Sequence, residues 1–179
     1  MKFAIITLLI SVSFQINMKR VYTFSSQTNY KEWRIVNDDV MGGISTSSLV
    51  LTSEGHGQFL GHVSLENYGG FASIQLNKSI DLSSEDKFIL LRLKGDGKAY
   101  EFRIKGKTSQ SESYGHQFST SGEWETIKLP ISEFYPQYRG RNLDKPNFNF
   151  NKIEQLSFLI ANKKEEDFGL VIDWIGLEQ

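Results

Sequence analysis

From Val21 to Leu177 the chain is cut into short runs of β-branched and aromatic residues by clusters of Gly, Asn, Asp and Ser, and no segment sustains the apolar period of a long helix. That punctuation limits the fold to an all-β sandwich or barrel. Strands are predicted at Val21–Phe24, Trp33–Val36, Leu49–Thr52, Gln58–Val63, Phe71–Leu76, Phe88–Lys94, Ala99–Lys105, Tyr114–Phe118, Trp124–Leu129, Gln155–Ile160 and Phe168–Leu177. In Ala99–Lys105, Tyr100, Phe102 and Ile104 share one face while Glu101, Arg103 and Lys105 share the other, the alternation of a sheet with one dry and one wet side. Phe168–Leu177 places Phe168, Leu170, Ile172 and Trp174 on one face with Val171 and Ile175 on the other, so it suits a central, covered strand. Gly95-Asp96-Gly97 supplies the positive φ angles of a tight hairpin joining Phe88–Lys94 to Ala99–Lys105.

At 179 residues the chain can bury one sizeable core, and 13% aromatic residues favour an ordered globule over a disordered chain. Residues 18–179 are expected to form a single domain. Twenty Lys and Arg against 21 Asp and Glu leave a formal charge of −1, too little to draw in nucleic acid or an anionic membrane by a global field. The absence of cysteine removes disulfide scaffolds, thiol catalysis and Cys-based zinc sites. Residues 1–17 read as a signal peptide or as an N-terminal extension. Lys2, the apolar run Phe3–Ile10 and Ser11-Val12-Ser13 suit export with cleavage near Ser13, whereas a start at Met18 implies a cytoplasmic or membrane-peripheral protein. The apolar run is too short to span a bilayer. Pro130–Asn151 carries all three prolines and lacks a strand pattern, so it is read as a long loop that is functional or contains short helical pieces.

Two stretches are dense in residues that can contact a ligand. In Asn37-Asp38-Asp39-Val40-Met41-Gly42-Gly43 a strand runs into adjacent acids and a glycine pair. Asp38 and Asp39 either close turns by accepting from backbone N–H groups or contribute hard oxygens to a Ca²⁺ ion. In Glu66-Asn67-Tyr68-Gly69-Gly70 polar residues again precede paired glycines, which reads as a hairpin loop or as a ligand rim with acceptors at Glu66 and Asn67 and a stacking face at Tyr68.

These residues also carry a family resemblance. Asn37-Asp38-Asp39-Val40-Met41-Gly42-Gly43-Ile44-Ser45, Phe59-Leu60-Gly61, Ser64-Leu65-Glu66-Asn67-Tyr68-Gly69-Gly70-Phe71-Ala72-Ser73, Gly95-Asp96-Gly97, Trp124-Glu125-Thr126-Ile127-Lys128-Leu129-Pro130 and Tyr138-Arg139-Gly140-Arg141 closely resemble signature blocks of the complex I intermediate-associated protein 30 family, in order, from about Val21 to Leu177. The resemblance implies a jelly-roll β-sandwich of the galactose-binding-domain-like superfold. For mitochondrial members it implies a chaperone-like role in assembling respiratory complex I. Some photosynthetic relatives add a dinucleotide-binding domain, but Gly95-Asp96-Gly97-Lys98-Ala99-Tyr100 has Tyr where the third glycine of that fingerprint belongs. No cofactor is expected.

The three histidines, His56, His62 and His116, sit in no catalytic or zinc-binding motif, so an enzyme is not expected. A binding module suits a sandwich better, because its loops gather at the ends. In the first version the protein holds client proteins, respiratory-complex subunits among them, through an aromatic and Arg surface at Tyr135, Tyr138, Arg139 and Arg141. In the alternative it is an exported carbohydrate-binding module whose loop rim stacks a glycan on Trp33 or Tyr68 and bonds it through Asp39, Asn67 or Arg103.

Overall fold

Among residues 17–179, which the computed structural model describes, thirteen strands form two antiparallel sheets linked by turns and single-turn 3-10 segments. The N-terminal stretch with its export reading lies outside the described residues. In chain order the strands are β1 (Met18–Thr23), β2 (Arg34–Ile35), β3 (Thr46–Leu51), β4 (Gly57–Val63), β5 (Ala72–Asp81), β6 (Phe88–Lys94) and β7 (Ala99–Lys105). They continue with β8 (Ser113–Ser119), β9 (Trp124–Pro130), β10 (Tyr135–Tyr138), β11 (Arg141–Asn142), β12 (Lys152–Ile160) and β13 (Glu166–Glu178). The first sheet runs β3-β4-β13-β6-β9, with β1 also paired to β13; the second runs β11-β10-β8-β7-β12-β5-β2. This is a sandwich, one of the two folds the residue pattern allows, with the jelly-roll form that the family resemblance implies. Among the described residues no helix is long and apolar enough to cross a membrane.

The core lies between the sheets. Tyr100, Phe102 and Ile104 of β7 and Leu156, Phe158 and Ile160 of β12 face Phe59, Leu91, Leu93, Leu170 and Ile172 of the first sheet, all buried. The Phe102 and Phe158 rings meet edge to face at 4.8 Å. Each fully buried Phe of this kind contributes about 1.5–3 kcal/mol relative to exposure, so the alternating apolar positions dominate the choice of fold.

Three sequence expectations are corrected. Gly95-Asp96-Gly97 is a turn but not a hairpin: β6 lies between β13 and β9, and β7 between β12 and β8, so the turn carries the chain from one sheet to the other. The Asp96 carboxylate fastens this crossing by accepting from the Tyr100 hydroxyl at 3.0 Å, the Lys98 amine at 2.8 Å and the Gly169 amide of β13 at 2.9 Å. In β13 the register shifts between Ile172 and Trp174. That bulge moves Ile175 and Leu177 into the core and turns Trp174 away from it, where the Arg20 guanidinium lies 5.0 Å above its ring. Pro130–Asn151 does hold a short helical piece, the 3-10 turn Ile131–Glu133, but it also contains β10 and β11, a short hairpin that the reading as a loop lacked and that Pro136 does not prevent.

Candidate functional site

The two glycine-containing stretches meet at one side chain. β2 leads through Asn37 into a single 3-10 turn at Asp38–Met41, and the chain then returns to begin β3. Asp38 is 1% exposed, and its two oxygens take four donors: the Ser45 amide at 3.0 Å, the Ser45 hydroxyl at 2.5 Å, the Gly70 amide at 2.7 Å and the Phe71 amide at 3.1 Å. Burial by itself raises a carboxyl pKa, but here the hydrogen bonds from the Ser45 side chain and from the Gly70, Phe71 and Ser45 amides outweigh it and hold Asp38 below its ordinary value. The Ser45 hydroxyl oxygen also accepts the Ser64 amide at 3.0 Å, which brings the start of the Glu66–Gly70 loop to the same point. A Cβ on Gly43 would collide with the Asp38 carboxylate, and one on Gly69 would lie 2.8 Å from Asp38 Oδ2 and 2.7 Å from the Ser64 carbonyl. Both close approaches therefore require glycine around one carboxylate.

This geometry separates the two acids that sequence could not. Asp38 closes turns, its oxygens already occupied by N–H and O–H donors, while Asp39 is exposed. A Ca²⁺ site at Asp38 and Asp39 is thereby deprived of one of its two carboxylates. Among the described residues no group of three or more His, Asp or Glu side chains is placed to hold a metal ion. Asn37 braces the same unit, accepting the Ser47 hydroxyl at 2.8 Å. The Met41 side chain lies outside the described residues.

Above the clamp, Glu66–Tyr68 form a second 3-10 turn in which Asn67 and Tyr68 both adopt left-handed backbone, with φ of 52° and 62°. Glu66 and Asn67 are exposed, and Tyr68 is 94% exposed. Leu65 and Ile44 are likewise exposed beside the Ser45–Ser64 junction, as is Ile35 in β2.

The remaining candidates lie elsewhere. Arg103 sits in β7, in the middle of the second sheet. Tyr138, Arg139 and Arg141 form the β10–β11 hairpin at the edge of that sheet opposite β2. Arg139 and Gly140 have φ of 49° and 73°, a two-residue turn with both central residues left-handed, and the Arg139 guanidinium lies 5.4 Å from the Tyr138 ring. Tyr135 does not join them: its hydroxyl approaches Glu101 at 3.4 Å on the sheet face. Trp33 is buried in the core, so it offers no stacking surface to a glycan.

Sequence reasoning missed a polar network on that face. Glu101, assigned to the wet side, is only 7% exposed; it takes the Arg103 guanidinium and, at 2.5 Å, the Gln137 amide, whose carbonyl in turn accepts from Arg103 at 2.8 Å. The one available signal was Gly115 inside a strand.

The two-sheet jelly-roll is the fold of solved carbohydrate-binding modules as well. The family 11 carbohydrate-binding module of Clostridium thermocellum, solved in complex with a β-1,3-1,4-mixed-linked tetrasaccharide, superposes with a TM-score of 0.66 at 17% identity, over 91% of this chain and 96% of the module. A family 29 carbohydrate-binding module superposes with a TM-score of 0.52 at 11% identity, over 90% of this chain and 91% of that one. The family model described as complex I intermediate-associated protein 30 matches residues 22–172, and the chain belongs to that family. The probable complex I intermediate-associated protein 30, mitochondrial, of Caenorhabditis elegans is 30% identical over 87% of this chain and 53% of its own length. The Drosophila melanogaster protein of that name is 26% identical over 88% of this chain and 62% of its own length, and an uncharacterized protein of Schizosaccharomyces pombe is 31% identical over 85% and 81%. The chain thus spans about half the length of the nematode relative.

Proposed function

We propose that residues 18–179 act as one non-catalytic domain that holds a protein client during assembly of a larger complex, in line with relatives named for a complex I intermediate. The observation that carries this reading is the tip above Asp38. Two consecutive non-glycine residues in left-handed backbone cost on the order of 1–3 kcal/mol each. Their effect is to hold the Tyr68 ring almost wholly in solvent, on the loop that starts at the Ser45–Ser64 junction where Ile44 and Leu65 are also exposed. An aromatic anchor flanked by aliphatic side chains is the composition of an interface centre. The buried carboxylate beneath it keeps the loop shaped before the client arrives, which lowers the ordering cost of binding. Respiratory-complex subunits are the client class that the family suggests.

The test is an affinity pull-down of the tagged full chain from its own cells, with mass spectrometry of the captured proteins, beside a Tyr68→Ala, Leu65→Ser double variant of unchanged melting temperature. Membrane-complex subunits captured by the parent and lost from the variant are expected. Capture that the variant retains in full overturns the assignment of the tip.

A further inference from the structure

We propose that the outward face of the second sheet is a separate binding site for a neutral, hydroxyl-rich polysaccharide chain laid across the strands from β10 to β2. The register aligns Tyr135, Gly115, Arg103, Ser157, Gln75 and Arg34 in one cross-strand row, each directly opposite the next. At ~4.8 Å per strand the row is about 24 Å long, room for several sugar rings in line. Every side chain in it is polar, and in the central strands the neighbours Phe102, Ile104, Leu156, Phe158, Ile74 and Leu76 face the core.

The row has a prepared floor at its β10 end. Glu101 and Gln137, which flank it, are 7% and 4% exposed although they point away from the core. They reach that depth because Gly115 has no side chain: a Cβ there would collide with the Gln137 amide. Over this glycine the carboxylate, the Arg103 guanidinium and the Gln137 amide bond one another, so their orientations are fixed before any ligand binds. Tyr135, Arg103 and Gln75 are half-buried and Arg34 is exposed, while Gly115 and Ser157 between them are buried, so solvent reaches the row at four of its six positions.

The chemistry selects the ligand class. A guanidinium has five N–H donors, and only two of its nitrogens are engaged by Glu101 and Gln137 here, which leaves donors for a sugar hydroxyl beside carboxylate and amide acceptors. The Arg103 charge is met by Glu101, so the floor has no net attraction for phosphate or sulfate. A protein partner is also disfavoured, since the row offers no aliphatic anchor and its Tyr135 and Arg103 are already turned to Glu101. The site stands apart from the Asp38 tip and does not rest on the client reading.

The experiment is affinity electrophoresis of the full chain through gels containing mixed-linkage β-glucan, xylan or galactomannan, with polygalacturonate as the anionic comparison. Arg103→Ala and Gln75→Ala are run beside the parent, with melting curves for each. Retardation by at least one neutral polysaccharide, weakened about tenfold in both variants, is expected. Arg103→Ala leaves Glu101 without its cation and lowers the melting temperature, so Gln75→Ala, outside the network, provides the test independent of folding. Migration unaffected by all three neutral polysaccharides, retardation that Gln75→Ala retains in full, or retardation by polygalacturonate alone overturns the proposal. The Tyr68→Ala, Leu65→Ser variant binds polysaccharide like the parent, which keeps failure here distinct from failure of the client assignment.

Discussion

Asp38 Oδ2 lies 2.7 Å from the amide nitrogen of Gly70, 32 residues further along the chain. With the Ser45 contacts, that bond ties two loops into one unit. Asp38→Ala strands four donors at a buried point, a loss of about 3 kcal/mol, equivalent to a melting temperature lower by about 6–12 °C for a chain of this size. Asp39→Ala, at an exposed position, changes stability by less than about 0.5 kcal/mol. Thermal melts of the two variants side by side check both statements.

Acid should weaken the fold through the same residue. Hydrogen bonds hold Asp38 below its ordinary value against the effect of burial, and Asp96 is likewise lowered despite burial by Lys98, the Gly169 amide and Tyr100. A carboxyl depressed in the folded state stabilises it fully above the unfolded pKa of about 3.9, and that contribution disappears as pH falls through the folded value. Melting temperature measured from about pH 6 to about pH 2.5 should therefore fall most steeply below about pH 4. In Asp38→Asn the plateau is lower and the acid slope shallower, because the Asp38 share is already absent.

Tyr68→Gly separates strain from stability. Glycine takes a φ of 62° without steric cost, which offsets the extra freedom it gives the unfolded chain. The melting temperature should stay within about 2 °C of the parent, whereas capture of the client is lost. A large fall in melting temperature would show that the ring packs against something that the exposed geometry excludes.

Arg139→Asn should stabilise the β10–β11 hairpin by about 0.5 kcal/mol, because Asn-Gly is the preferred pair where both central residues are left-handed. The cost is one exposed guanidinium–ring contact with Tyr138. Urea unfolding midpoints resolve a difference of this size.

The strands were legible where a short apolar or alternating run is bounded by turn residues: Phe88–Lys94 and Ala99–Lys105 begin and end where the residue pattern places them. Which strands pair was not. Asp96-Gly97 announces a left-handed turn, yet a turn does not say whether its arms bond each other, and here burial of both flanks of β6 and β7 by other strands prevails. Trp174 was misassigned because a single-residue bulge reverses every later side chain, and nothing local marks it. At Asp38 sequence left a turn and a cation as alternatives, since two of its four donors come from Gly70 and Phe71, 32 and 33 residues further along the chain. The Glu101–Arg103–Gln137 network was invisible for the same reason: Gln137 reaches it from a segment that reads as loop.

β13 runs thirteen residues, and its two ends have different neighbours: Glu166–Ile172 pairs with β4, near the Asp38 tip, while Trp174–Glu178 pairs with β1. Residues 17 and 179 lie side by side, the Asn17 amide donating to the Gln179 side chain at 2.6 Å, about 40 Å of strand away from Glu166. Anything joined at Gln179, whether a tether to a bead or a fused fluorophore, therefore hangs from the far pole of the sandwich and leaves the Tyr68 end facing outward. A chain immobilised through Gln179 is already oriented for capture.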